Sequence, residues 1–208
     1  MKNNFIVFSD FDGTISKKDI LDQIIIDNSS FEEYKNAENK LLNGELIYEK
    51  YLFTMFDGIN YNLNNISDNL IDDYFKEFYF WLVNNNIDFY IVSSGFKNII
   101  QHLVPYVKSD IIYANNLIID ENNKWNVSLF DEFNKKSVDK NCVIKNNLKP
   151  NFKTVFIGDG LSDFKVMGNV DYLFCKKNSL LHNKCINENC NHIVFNDFND
   201  VIQYLINL

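Results

Sequence analysis

The most informative absence in this 208-residue chain is arginine, because all 20 of its basic residues are lysine. Arginine binds carboxylate and phosphate groups through two parallel hydrogen bonds from one planar guanidinium, whereas lysine acts as a point charge. Any anion that this protein binds must therefore be held by lysine, by backbone N–H groups or by a metal ion.

The chain also lacks net positive charge and long apolar runs. The net charge of -8 and the isoelectric point near 4.8 argue against a nucleic acid as a partner. The longest apolar runs, such as Phe78–Val83, are too short to span a membrane, and the N-terminus lacks the apolar core of a signal peptide. The four cysteines are scattered over the second half of the chain, which is typical of reduced thiols in a cytoplasmic protein.

The first part of the chain changes from a strand-like pattern to a helical one. Residues 5–8 form a continuous apolar run, which is typical of a strand buried on both faces of a sheet. Residues 19–86 then carry apolar side chains at helical spacing and contain no convincing strand. This pattern predicts a block of helices inserted after the first strand.

From residue 87 onwards, strand and helix patterns alternate, which predicts a parallel sheet with helices on both faces. Strands are expected near 87–93, 111–114, 153–158, 172–175 and 192–195, and a hairpin over 116–130. We therefore predict an α/β fold, a Rossmann-like parallel sheet made of residues 1–16 and 87–208. Residues 17–86 would form a helical-bundle domain inserted after its first strand.

Small and acidic residues follow three of these predicted strands. Asp10 and Asp12 come directly after the first strand, and Asp159 follows the strand at 153–158. The stretch Ser93–Gly95 follows the strand at 87–93. Because parallel sheets bind ligands beyond the carboxyl ends of their strands, we expect these residues to converge on one crevice.

The acidic residues predict a magnesium site. Asp10 and Asp12 repel each other unless a cation lies nearby, and Mg²⁺ commonly takes one or two carboxylates together with substrate phosphate. Asp10, a backbone carbonyl beside it and Asp159 would supply the ligands. A solvated turn is the simpler alternative, and an EF-hand calcium loop is disfavoured because Gly13 stands fourth in the loop, not sixth. Asp163 could also serve only to cap a helix.

The stretch IVSSGF, residues 91–96, predicts an anion site. The hydroxyl of Ser93 and the backbone N–H groups of Ser94 and Gly95 would face an anion at the start of a helix, although a serine there is also a common N-cap. A lysine should also reach that anion, and spacing alone does not choose among the clustered candidates Lys135, Lys136, Lys140 and Lys145.

Taken in order, these stretches resemble the motifs of the haloacid dehalogenase superfamily of phosphatases. DFDGT resembles its first motif, D-x-D-G-T, IVSSGF its second and GDGLSD its fourth, G-D-x-x-x-D. Lys140 stands 19 residues before Asp159, similar to the family's third-motif lysine, and is preferred to Lys136 and Lys145. The chain looks like the phosphoserine-phosphatase-like branch and is most similar to the 2-hydroxy-3-keto-5-methylthiopentenyl-1-phosphate phosphatases of methionine salvage.

The resemblance implies a Mg²⁺-dependent phosphomonoester hydrolase that acts on a small phosphorylated metabolite, with residues 17–86 as a cap over the site. It implies that Asp10 is the nucleophile and forms an aspartyl-phosphate. Asp12 would be the general acid and base and would touch the metal only through its backbone carbonyl. Lys140 and Ser93 would stabilise the transferring phosphoryl group.

Further roles follow from the same resemblance. Asp163 would orient Lys140 or a metal-bound water, and Thr14 would support the loop. Four residues of the helical block are candidates for the lining of the substrate pocket, with packing inside the block favoured for the three aromatic ones. They are Asp19, Tyr51, Phe53 and Phe56.

Several alternatives stay open. The enzyme could be a phosphoserine phosphatase, or a phosphomutase in which the aspartyl-phosphate passes to a second substrate. A phosphate-accepting signalling module also uses a Mg²⁺-bound aspartate on a parallel sheet, but such modules are shorter and lack a helical insert. No membrane partner is expected, and the sequence carries no signal for an oligomeric state.

Overall fold

Seven strands form one sheet in the computed structural model, which describes residues 4–28 and 31–208. The strands are β1 Phe5–Ser9, β2 Asp88–Phe96, β3 Ile112–Ile119, β4 Trp125–Ser128, β5 Lys153–Gly158, β6 Tyr172–Lys176 and β7 Ile193–Phe195. Their order is β4-β3-β2-β1-β5-β6-β7, and all neighbours are parallel except β3 and β4, which form an antiparallel hairpin. The loop after β1 therefore lies at the centre of the carboxyl edge.

Eight α-helices accompany the sheet within the described residues. They are α1 Ile20–Asn28, α2 Phe31–Leu42, α3 Tyr48–Phe56, α4 Phe75–Asn84, α5 Lys97–Leu103, α6 Lys140–Asn147, α7 Leu180–Asn187 and α8 Phe198–Ile206. Side-chain caps fix the starts of two helices that follow the sheet's edge: Asp139 accepts the Cys142 N–H before α6, and Ser179 accepts the His182 N–H before α7.

The continuous apolar run of β1 is explained by burial on both sides of the sheet. Phe5 and Val7 belong to one apolar cluster, and Ile6 and Phe8 belong to a second cluster on the opposite face. Successive side chains of a strand point to opposite faces, so a strand covered on both sides is apolar at every position. The second cluster includes side chains of α6 and α7, and the first includes side chains of α4, α5 and α8.

The chain leaves the sheet after β1 and returns beside the point of departure. An antiparallel bridge joins Ser16 to Ile71, and the Asp72 N–H donates to the Ile15 carbonyl at 2.9 Å. The segment between these contacts, residues 17–70, contains α1, α2 and α3 and is called the helical insert below. Its backbone is thus tied at both ends to the same place on the sheet.

The helix α4 follows the return of the chain and packs against β2 and α8. The ring of Phe78 lies 4.8 Å from that of Phe198 and 5.9 Å from that of Phe89, measured between centroids. The sequence placed α4 in the helical domain of residues 17–86. That boundary stays a prediction, but the packing of α4 groups this helix with the sheet.

The helical insert is docked on the β3–β4 hairpin. Trp125 is fully buried, packs edge-on against Tyr61 at 5.9 Å and donates its Nε1–H to the Tyr61 carbonyl at 2.8 Å. The Val127 N–H donates to Oδ1 of Asp57 at 3.0 Å. These contacts join β4 to the segment that follows α3. The helical insert is therefore held by the hairpin as well as by the attachment of its two ends beside β1.

The predicted fold class is confirmed, with two differences at the strand ends. β2 continues through the Ser93–Gly95 stretch to Phe96, and the register of its pairing with β3 shifts between Val92 and Phe96. β3 is one strand where the sequence predicted two, since its first half pairs with β2 and its second half with β4. Every helix in the described part of the chain is too short or too polar to cross a membrane. Residues 1–3, part of the N-terminus tested for a signal peptide, lie outside the described residues.

Candidate active site

The loop after β1 is locked against the loop after β5. The backbone turns at Gly13 with a φ of 73°, and a Cβ atom on this residue would collide with the carboxylate of Asp159. The left-handed conformation and the close approach both require glycine. Thr14, which is fully buried, donates its hydroxyl to Oδ1 of Asp159 at 2.7 Å. The two acidic loops therefore meet, as the sequence predicted from their places at strand ends.

Asp10 lies at the bottom of the site and is held by contacts of both its backbone and its carboxylate. Its N–H donates to the Ile157 carbonyl at 2.9 Å, and its Oδ1 accepts the Phe11 N–H at 2.7 Å. Its Oδ2 lies 2.7 Å from Nζ of Lys140. Burial, followed by the negative charge of Asp163, raises the pKa of Asp10 well above its ordinary value, although the Lys140 ammonium opposes this shift.

Lys140 is the first residue of α6, directly after the Asp139 cap, and its ammonium group is almost completely buried. It lies 2.5 Å from Oδ1 of Asp163, while Oδ2 of Asp163 accepts the N–H groups of Asp159 and Gly160 at 3.1 and 3.0 Å. Burial works against the charged lysine, but Asp10 and Asp163 outweigh it and raise the pKa of Lys140. Lys140 therefore remains an ammonium ion.

Three carboxylates form a group that could hold a metal ion. One oxygen from each of Asp10, Asp159 and Asp163 lies within 4.8 Å of the others. Asp163 is fully buried and already accepts three hydrogen bonds, whereas Asp10 and Asp159 reach the cavity. Burial raises the pKa of Asp159 to about 6. A cation bound here would relieve the repulsion among these acids.

The carboxylate of Asp12 lies outside that metal-binding group and close to β2. Its Oδ1 accepts the Ile20 N–H at 3.2 Å, and a Cβ atom on Gly95 would lie 2.7 Å from its Oδ2. Glycine at position 95 thus leaves room for the Asp12 side chain. Burial, then the charges of Asp19 and Asp10, raise the pKa of Asp12 well above its ordinary value. The two aspartates of the first motif therefore have different partners.

The Ser93–Gly95 stretch forms the opposite side of the site. Ser93 is buried, and its Oγ accepts the Gly95 N–H at 2.9 Å, so this N–H has an internal partner. The Ser94 carbonyl accepts hydrogen bonds from Nδ2 of Asn115 at 2.7 Å and from the hydroxyl of Tyr48 at 3.2 Å. The first of these contacts ties the stretch to β3, and the second ties it to the helical insert.

These residues surround a cavity of about 670 Å³. Two predicted site residues, Thr14 and Asp163, lie behind its wall, and the other predicted site residues line it. Three aromatic candidates do not line it. Tyr51 and Phe56 are buried in the apolar core, as the alternative interpretation had it, and Phe53 is exposed.

Tyr48 and Glu49 are among the residues of the cavity wall that sequence reasoning missed. Both lie in the first turn of α3, and Oε1 of Glu49 accepts the Ser137 N–H at 3.2 Å. Burial raises the pKa of Tyr48 well above its ordinary value, so its hydroxyl keeps its proton. Acidic residues are common in first helical turns because they interact favourably with the helix dipole, so no separate sequence signal identified Glu49.

The sheet order, the insert after β1 and the acids at the carboxyl edge define a protein with the haloacid dehalogenase fold. Solved structures of other proteins have the same fold. A substrate-bound phosphoserine phosphatase has a TM-score of 0.71 at 18% identity, covering 98% of this chain and 99% of its own. A phosphoserine phosphohydrolase-like protein from Francisella tularensis subsp. tularensis SCHU S4 has a TM-score of 0.68 at 20% identity, with the same coverage. No family model matches the chain.

Curated relatives match along nearly the whole chain. Pdp3-interacting factor 1 from Schizosaccharomyces pombe is 28% identical, covering 96% of this chain and 94% of its own. A 2-hydroxy-3-keto-5-methylthiopentenyl-1-phosphate phosphatase from Bacillus cereus (strain B4264) is 27% identical, covering 94% and 93%. The polyol phosphate phosphatase PYP1 from Saccharomyces cerevisiae is 25% identical, covering 95% and 90%. The chain is thus similar along almost its whole length to phosphatases of the haloacid dehalogenase type, which confirms the predicted resemblance and favours an enzyme over a signalling module.

Proposed function

We propose that this protein is a Mg²⁺-dependent phosphomonoester hydrolase that transfers the phosphoryl group of a small metabolite to Asp10 and then to water. The observation that carries the proposal is the position of Asp10 in the cavity, 2.7 Å from the buried ammonium of Lys140. A carboxylate held beside a permanent cation and within reach of solvent is arranged to attack a phosphate ester.

The donor set fits Mg²⁺, which prefers carboxylate, carbonyl and water oxygens. Asp10, Asp159 and the backbone carbonyl of Asp12 would hold the ion, with Asp163 and Thr14 supporting the ligands from behind. When bound, Mg²⁺ would neutralise charge on the carboxylates and on the substrate phosphate. Burial and the neighbouring carboxylates raise the pKa values of Asp10 and Asp159, and a divalent cation bound between them would lower these values.

The protein's own groups have separate tasks in this reaction. A carboxylate oxygen of Asp10 forms a bond to phosphorus while the bond between phosphorus and the leaving oxygen breaks. Lys140 offsets the charge on the phosphoryl oxygens, and Ser93 donates its hydroxyl to them, with backbone N–H groups of the Ser93–Gly95 stretch beside it. The Gly95 N–H would exchange its present acceptor, Oγ of Ser93, for a phosphate oxygen.

Asp12 handles the protons. In its protonated form it donates a proton to the leaving alkoxide, and as a carboxylate it removes a proton from the water that attacks the aspartyl-phosphate. The raised pKa of Asp12, caused by burial and by the nearby acids Asp19 and Asp10, keeps the protonated form available at higher pH than for an ordinary aspartate. Its separation from the metal-binding acids leaves its side chain free for this work.

The helical insert serves as the cap of the site. We place the cap at residues 17–70, since α4 packs with the sheet. Its side chains at Asp19 and Tyr48 reach the cavity, and closing the site against water would protect the aspartyl-phosphate until Asp12 activates a water molecule.

All four cysteines are free, which suits a cytoplasmic protein.

The proposed substrate is a small phosphate ester of the kind named for the relatives, including a methionine-salvage ester. Turnover of p-nitrophenyl phosphate tests the proposal. We expect Mg²⁺-dependent release of inorganic phosphate, loss of turnover in Asp10→Asn, and a phosphoryl group on Asp10 in rapidly quenched wild-type protein. Asp110→Asn, an exposed aspartate remote in sequence from the motifs, is the matched control and should behave like wild type.

Two results would contradict the proposal. Wild-type turnover in a folded Asp10→Asn variant would exclude the nucleophile. Transfer of the phosphoryl group to a second metabolite, with no inorganic phosphate released, would identify a phosphomutase instead of a hydrolase.

A further inference from the structure

The wall of the cavity that the helical insert contributes is acidic. Its residues are Asp19 and Leu21 at the start of α1 and Tyr48 and Glu49 at the start of α3. Two of these four side chains are carboxylic acids, one is a phenol and one is apolar. Within the described residues, the insert places no lysine in this wall.

Glu49 is fixed in that wall and keeps an oxygen available. Its Oε1 accepts the N–H of Ser137, which lies in the loop before Lys140. Its Oε2 accepts no hydrogen bond from any residue that the structure describes. The side chain is half-buried, so a ligand in the cavity can reach it. A carboxylate in this state accepts hydrogen bonds from hydroxyl or ammonium groups and repels another carboxylate.

Tyr48 keeps this turn of α3 close to the phosphate end of the site. Its hydroxyl donates to the Ser94 carbonyl at 3.2 Å, beside the residues proposed to bind the phosphoryl group. Glu49 is the next residue and lines the same cavity, together with Asp19. A substrate whose phosphate lies at Ser93–Gly95 would therefore have these two acids within reach of its leaving group.

The cations of the cavity do not balance these acids. Lys140 is already paired with Asp10 and Asp163. Lys136 and Lys165 line the cavity from the sheet side and, like Asp19, are exposed, so solvent screens their charges, whereas Glu49 is half-buried. Without arginine in the chain, no guanidinium can bind a carboxylate in this cavity.

We propose that Glu49 selects the substrate by accepting a hydrogen bond from a leaving group that carries a hydroxyl or ammonium group and no carboxylate. The inference rests on the proposed phosphatase function and narrows its substrate class. It favours phosphate esters of alcohols without an acid group over phosphoserine and other phosphorylated carboxylic acids, because only the latter bring a second negative charge to this wall.

The test compares two substrates that differ in one terminal group, together with a third substrate. Glycerol 3-phosphate carries a hydroxymethyl group where 3-phosphoglycerate carries a carboxylate, and phosphoethanolamine tests the ammonium case. We expect the wild-type kcat/KM for glycerol 3-phosphate or phosphoethanolamine to exceed that for 3-phosphoglycerate at least tenfold. Glu49→Gln keeps the bond to Ser137 but loses the charge, and should reduce this preference about tenfold through a lower KM for 3-phosphoglycerate. Glu49→Lys should reverse it.

The control is Glu45→Lys, at an exposed position outside the cavity. It changes the net charge of the helical insert by the same amount as Glu49→Lys. It should leave the preference as in wild type. Two results would overturn the inference in a protein that still hydrolyses p-nitrophenyl phosphate. One is an unchanged substrate preference in folded Glu49→Gln, and the other is a wild-type preference for 3-phosphoglycerate. A wild type that hydrolyses none of these esters, p-nitrophenyl phosphate included, would overturn the proposed function and this inference with it.

Discussion

The ammonium group of Lys140 lies 2.5 Å from Oδ1 of Asp163, a side chain that is fully buried and does not reach the cavity. Oδ2 of the same carboxylate accepts the N–H groups of Asp159 and Gly160. One buried carboxylate thus sets the position of the lysine beside Asp10 and the path of the loop that carries Asp159. Asp163 acts on the reaction through these neighbours.

We expect Asp163→Asn to lower kcat/KM for p-nitrophenyl phosphate by about 10- to 100-fold. Asparagine has one acceptor oxygen, so either Lys140 or the two N–H groups lose a buried partner. The free energy of unfolding should fall by about 1–3 kcal/mol. Steady-state kinetics and urea denaturation measure the two effects.

A surface pair provides the control for this variant. Lys17 and Asp73 lie 2.7 Å apart but are exposed, so Asp73→Asn should change the free energy of unfolding by less than about 1 kcal/mol and leave kcat/KM unchanged. Equal effects of the two substitutions would show that burial and the backbone contacts of Asp163 have no special importance.

Asp12→Asn should separate the two halves of the reaction. Nitrophenolate leaves without protonation, whereas the alkoxide of an alkyl phosphate needs a proton from Asp12. In the variant we expect rapid-mixing experiments with p-nitrophenyl phosphate to keep a stoichiometric burst of nitrophenolate, followed by slow turnover. With glycerol 3-phosphate, the first turnover itself should slow by about 10²- to 10⁴-fold.

The corresponding Asp10→Asn variant should show no burst with either substrate, because it lacks the nucleophile. If Asp12→Asn also lost the burst with p-nitrophenyl phosphate while remaining folded, Asp12 would be needed for the attack on phosphorus. The assignment of Asp12 as acid and base would then be wrong.

The convergence of Asp10, Asp159 and Ser93 was predictable from the sequence, since each follows a parallel strand and such strands end at one edge. Spacing by itself left the lysine open. The structure distinguishes the candidates: Lys140 is buried at the start of α6, whereas Lys136 is exposed at the cavity and Lys145 is exposed near the end of the helix.

The cap side of the site was not predictable in the same way. Tyr48 lines the cavity and Tyr51 is buried in the core, although both are tyrosines on the same side of α3 and their rings lie 6.0 Å apart. Which of them meets the substrate depends on how the helical insert rests on the β3–β4 hairpin, through contacts such as Trp125 with Tyr61. Periodicity identifies a buried helix face, but it does not tell which end of that face borders a cavity.

The metal-free protein should be more stable at pH 5 than at pH 7.5. Burial raises the pKa of Asp159 to about 6 and raises the pKa values of Asp10 and Asp12, so the folded state holds protons that the unfolded state releases near pH 4. Stability therefore falls as the pH rises through the folded-state pKa values. Thermal unfolding in a chelator at several pH values measures this trend.

Mg²⁺ should reverse much of this loss, because it binds the ionised carboxylates. We expect its addition to raise the unfolding temperature clearly at pH 7.5 and little at pH 5. Asp159→Asn should flatten the pH dependence and weaken the Mg²⁺ effect. A metal-free protein with a higher unfolding temperature at pH 7.5 than at pH 5 would contradict the raised pKa values of these carboxylates.

Thr14 offers a test of the metal site that leaves every carboxylate in place. Its hydroxyl donates to Oδ1 of Asp159 at 2.7 Å from a fully buried position. Thr14→Val keeps the shape but removes the donor, so Asp159 loses the bond that orients it and that lowers its pKa. We expect Mg²⁺ affinity, measured from the Mg²⁺ dependence of the unfolding temperature, to fall by about 10- to 100-fold. Thr14→Ser retains the hydroxyl and should bind Mg²⁺ much as wild type does, and equal weakening in both variants would show that the methyl group, and not the hydrogen bond, positions Asp159.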